Sequence, residues 1–128
     1  MPSFIVVEDS LRFLYLIKEN IRKLGYELIA AVDNIASAID YLKAGRVPDV
    51  IMIDVMLPGE PGARLIEYCR ANHPQVRIVL TSGLDSDHLV KTVPRGGYDA
   101  SLQKPFSADQ LSACISGMTA PPAAPRPG

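Results

Sequence analysis

Hydrophobic positions along the chain follow two alternating rhythms. Short apolar-rich runs fall at Phe4–Val7, in ELIAAV at 27–32, around Val50–Ile53 and in RIVLT at 77–81, and ASLQ at 100–103 reads as a fifth, short strand. The first of these runs, Phe4–Val7, reads as a strand buried on both faces. Between the runs the spacing changes to that of helices. Phe13, Ile17, Ile21 and Leu24 form one stripe, with Gly25 as its stop. Ile35, Ala38, Ile39 and Leu42 form a second, with Asp33 or Asn34 as its cap and Gly45 as its stop. A third helix carries Leu65, Ile66 and Cys69 and must end near His73, because Pro74 follows. A weaker fourth helix is predicted at 86–93, cut short by Pro94 and two glycines. The last starts near Ser107 and runs through Leu111, Ile115 and Met118.

Five strands alternating with five helices predict an α/β fold of three layers, a parallel sheet covered on both faces. The expected domain is 1–118. The Pro-rich TAPPAAPRPG at 119–128 is read as a disordered tail. In such sheets ligands bind beyond the carboxyl ends of the strands. At those ends stand Glu8 and Asp9, Asp54, Thr81 with Ser82, and Lys104 followed by Pro105.

That set of residues narrows the chemistry. Three close carboxylates cannot all stay ionised without a countercharge, and one lysine is not enough. The donors are all oxygens, which selects a hard divalent ion, Mg2+ before Zn2+. A phosphoryl group suits such a site, its oxygens held by the metal, Lys104 and the Thr81 hydroxyl. One carboxylate then serves as nucleophile. Asp54 is the candidate, on the central strand and apart from the Glu8–Asp9 pair.

Composition removes other classes. With 48% hydrophobic and 21% charged residues the chain can fill a core, and a formal net charge of -1 offers no basic surface for nucleic acid or membrane. The two cysteines, Cys69 and Cys114, lack metal spacing and are read as buried free thiols. No apolar run approaches the ~20 residues that cross a bilayer. MPSFIVVED has no leader pattern, so the expected location is cytoplasmic. His73 and His88 are read as surface residues.

The fragments VVEDS, MIDVMLPGEPG, IVLTSG and LQKPFS, in this order over Phe4 to Met118, resemble the receiver domain of bacterial two-component response regulators. The resemblance implies a flavodoxin-like sheet of order 2-1-3-4-5. It implies that Asp54 is the phospho-acceptor and that Asp9, Asp54 and the backbone carbonyl of Met56 hold Mg2+, with Glu8 acting through water. Thr81 would bind the phosphoryl group and Lys104 would pair with it, the Lys104–Pro105 bond being cis. The implied activity is that of a stand-alone signalling module, not an enzyme, which assists its own phosphorylation and dephosphorylation. Its donor would be a sensor histidine kinase or a histidine phosphotransfer protein, and its output would pass to a protein target.

One departure stands out. Receivers usually carry Tyr or Phe three residues before the lysine, where this chain has Ser101, and Tyr98 is offset by three. Switching is therefore expected to rest on ordering of 85–99. Two other classes compete: a receiver-like scaffold or decoy, favoured by Ser101, and a flavodoxin-like cofactor domain, disfavoured because Glu8 and Asp9 would repel a nucleotide phosphate.

Overall fold

A computed structural model describes residues 2–55, 57, 62–83 and 97–119. The strands are β1 (Ser3–Val7), β2 (Glu27–Val32), β3 (Val50–Asp54), β4 (Arg77–Ser82) and β5 (Ala100–Gln103). The described helices are α1 (Leu11–Lys23), α2 (Ile35–Lys43), α3 (Ala63–Asn72) and α4 (Ala108–Thr119). α4 is the last of the five helices expected; the one predicted at 86–93 lies outside the described residues, as do Met56, His88 and residues 120–128. The sheet is parallel throughout, in the order β2-β1-β3-β4-β5.

Alternation along the strands divides the core in two. Ile5, Val7, Ile51, Ile53, Ile78 and Leu80 face α2 and α3, where Ile35, Ala38, Leu42, Leu65, Ile66 and Cys69 meet them. Phe4, Val6, Val50, Met52 and Val79 face α1 and α4, against Ile17, Ile21, Leu111, Ile115 and Met118. Successive side chains on a strand point to opposite faces, so a strand covered on both must be apolar at every position. Burial of each such side chain contributes about 1.5–3 kcal/mol.

Local chemistry sets the helix ends. The Ser10 hydroxyl accepts the Phe13 N–H at 3.4 Å, and Asn34, not Asp33, caps α2 by accepting the Ser37 N–H at 2.8 Å. Gly25 follows α1 at φ 73°, a conformation that other residues adopt at a cost. Ser107 and Gln110 exchange backbone N–H bonds with each other's side chains at 3.1 and 2.8 Å, a capping box.

Two expectations need correction. Cys114 is half-buried, not buried, because it lies at the edge of the α4 stripe, although both thiols are free. Phe13 is also only half-buried and belongs to neither core cluster among the described residues.

Candidate functional site

Strand register assembles the site. Val7 pairs with Ile53 and Asp54 with Thr81, so Glu8, Asp54 and Thr81 end three neighbouring strands at one level. Ser82 pairs with Gln103, and the Lys104 N–H donates to the Ser82 carbonyl at 2.7 Å, which brings the lysine to the same edge. The Lys104–Pro105 bond is cis.

One carboxylate oxygen from each of Glu8, Asp9 and Asp54 lies within 4.8 Å of the other two. Glu8, Asp54 and Thr81 are buried, whereas Asp9 is exposed. The Lys104 ammonium donates to Glu8 Oε1 at 3.0 Å and stands 3.4 Å from Asp54 Oδ2. Glu8 Oε2 accepts the Ser10 N–H at 3.0 Å. Burial pushes the Glu8 carboxyl above the usual carboxylate range. The Ser10 N–H and Lys104 pull it back, and Asp54 beside it pushes it up again. Asp54 comes from the central strand, far from the acidic pair in sequence, and its carboxylate lies beside theirs. The parallel register puts its carboxylate against that of Glu8, across a distance the sequence does not contain.

Three carboxylates thus face one ammonium among the described residues. The donor set is all oxygen, without histidine or thiolate, and is of the kind that holds Mg2+. The donor set therefore fits the ion, and Glu8, Asp9 and Asp54 are the residues that could hold it. The Met56 carbonyl lies outside the described residues.

Two residues near the rim carried no site role in the sequence reading. Asp33, read only as a cap, ends β2 and lines an open cleft of about 350 Å3 with Glu8, Asp9, Leu11, Leu14 and Ser37. The strand-end rule applied to β2 points to it. Phe13 lies beneath the lysine, with its ring centroid 4.3 Å from Lys104 Nζ, and no local pattern signals that contact. Ser101 is exposed on β5, and Tyr98 packs half-buried against the α2–α3 side of the core. Most of 85–99, including the expected ordering segment, lies outside the described residues.

No helix among the described residues is long and apolar enough to cross a membrane. The response regulator receiver domain model matches residues 4–116. The chain is 26% identical over 112 residues to the chemotaxis protein CheY of Bacillus subtilis (strain 168), covering 88% of this chain and 92% of that one. Among solved structures it resembles the receiver domain of the response regulator NarL from Mycobacterium tuberculosis, with a TM-score of 0.80, 22% identity and coverage of 91% and 94%. It also resembles the receiver domain of the sensor histidine kinase PA1611 from Pseudomonas aeruginosa PAO1, solved with a magnesium ion in its active-site cleft. There the TM-score is 0.77 at 24% identity, covering 91% and 95%. Likeness at that identity speaks for the flavodoxin-like fold. The family match spans nearly all of that fold, so the chain belongs to the response regulator receiver domain family.

Proposed function

We propose that the chain is a single-domain response regulator whose Asp54 accepts a phosphoryl group from a phosphohistidine in a Mg2+-dependent reaction. The observation that carries this reading is the reach of Lys104 to both Glu8 and Asp54 at the end of the central strand. An Asp54 oxygen bonds to phosphorus as the P–N bond breaks, and its electron pair returns to the donor imidazole. Lys104 takes one phosphoryl oxygen by moving off the carboxylates, and the Thr81 hydroxyl takes another. Mg2+, held by Asp9, Asp54 and the Met56 carbonyl with Glu8 through water, would supply charge neutralisation. Mg2+ in the similar PA1611 receiver supports that assignment.

The domain is taken as 1–118 with 119–128 as a tail, in keeping with a family match that ends at residue 116. The proposed setting is the cytoplasm, with output to a protein partner and no direct contact with nucleic acid. The module assists its own phosphorylation and dephosphorylation and has no separate substrate.

The donor is proposed to dock on α1. Leu11, Tyr15 and Leu16 are 82%, 64% and 41% exposed, all on the half of α1 that flanks the acidic edge. Leu11→Asp should slow transfer from a histidine-bearing donor and leave transfer from a small acyl phosphate unchanged. Equal rates from the protein donor would remove the docking face.

Purified protein incubated with Mg2+ and a small acyl phosphate should gain the mass of one phosphoryl group, and Asp54→Asn should not. Ser101 gives the decoy reading its footing, and a wild-type protein that gains no mass would establish it in place of the switch.

A further inference from the structure

The Lys104 ammonium is enclosed from three directions. Glu8 lies at 3.0 Å and Asp54 at 3.4 Å, and on a third side the face of Phe13 lies 4.3 Å away, centroid to Nζ. The lysine side chain is only 8% exposed. Phe13 is one of a row of α1 residues, with Leu16, Ile17 and Asn20, that line a small pocket with Pro105 and Phe106. At the far end of that row Asn20 Nδ2 donates to the Phe106 carbonyl at 3.2 Å. Positions seven apart share a helix face, so one stripe of α1 meets the segment carrying the lysine at two points. Phe13 is half-buried and belongs to neither core cluster among the described residues.

We propose that Phe13 is a positioning residue, its ring seating the Lys104 ammonium at the acidic edge ready to receive an oxygen of the incoming phosphoryl group. The proposal rests on the phospho-acceptor reading of Asp54. An ammonium has three N–H donors and no acceptor. A carboxylate or carbonyl on the third side would engage one of them. The negative face of an aromatic ring attracts the charge without a directed hydrogen bond, so a donor stays available for the phosphoryl oxygen. An aliphatic side chain of equal bulk would exclude water and give no attraction in return. The ring also limits how far the flexible lysine stem can swing while the carboxylates exchange partners.

Phosphorylation by a small acyl phosphate in Mg2+ would be timed for wild type, Phe13→Leu and Phe13→Tyr, with thermal melts showing that each variant is folded. Loss of the ring face should slow Phe13→Leu about fivefold, and Phe13→Tyr should stay close to wild type. The second readout is the proton NMR position of the Lys104 ε-methylene, which a ring face shifts upfield. The shift should be present in wild type and Phe13→Tyr and absent in Phe13→Leu. A leucine variant as fast as wild type, or a tyrosine variant as slow as leucine, overturns the proposal. A wild type that takes no phosphoryl group overturns the Asp54 reading and the rate effect with it. The lysine resonance is independent of that outcome, and an unshifted wild-type position overturns the seat itself.

Discussion

At the amino-terminal edge of the sheet, Asp99 accepts the Arg70 guanidinium at 2.8 Å and the Ile78 N–H at 2.8 Å, with Arg77 at 3.6 Å. Arg70 in turn donates to the Gly97, Pro74 and Val76 carbonyls. At the carboxyl edge, buried Glu8 and Asp54 share one lysine, and Asp9 adds a third carboxylate beside them. Both edges concentrate charge, but only the first supplies enough donors for its acid. A balanced cluster ties chain segments together and needs nothing more. An acid-rich one is tolerable where a cation completes it, and its cost to the fold is the mark of a site.

The contrast predicts opposite responses to losing an acid. Asp99→Ala should lower stability by about 2–3 kcal/mol, since it strips a charged acceptor from a backbone N–H and a guanidinium. Urea unfolding measures this, and an unchanged midpoint would show that the clamp is ornamental.

Next in size is the metal. Mg2+ at ten times its Kd should stabilise the fold by about 1.4 kcal/mol, read as a rise in Tm that Asp9→Asn diminishes. Equal rises in both proteins would place the cation elsewhere.

The smallest effect should come from Glu8→Gln without metal. Burial raises the Glu8 carboxyl above its ordinary 4.5, so the folded state holds that proton more tightly than the unfolded state. The associated stability is fully present below pH 4.5 and is lost as pH rises through the raised value. The glutamine variant should therefore match wild type in acid and exceed it near neutrality. Wild type more stable than the variant at neutral pH would mean that the Lys104 pairing outweighs burial.

Much of this was readable along the chain. Short apolar-rich runs located four strands and ASLQ the fifth, and Asn34, Gly25, Ser107 and Pro74 marked helix ends, because those signals act within a few residues. The strand-end rule picked out Glu8, Asp9, Asp54, Thr81 and Lys104. It missed the third side of the lysine's enclosure at Phe13 and the Asp99 clamp. Each joins residues distant in sequence, such as the pair Arg70 and Asp99, and periodicity carries no information about separation across a sheet.

Residue order alone was enough to specify strands, caps and the acids that end the strands, since backbone preference and burial act on neighbours. Folding added the register. Pairing Val7 with Ile53 and Ser82 with Gln103 crowds the acids around one ammonium and lays α1 beneath it. Charge interactions depend on distance in space, and that distance exists only once the sheet has formed.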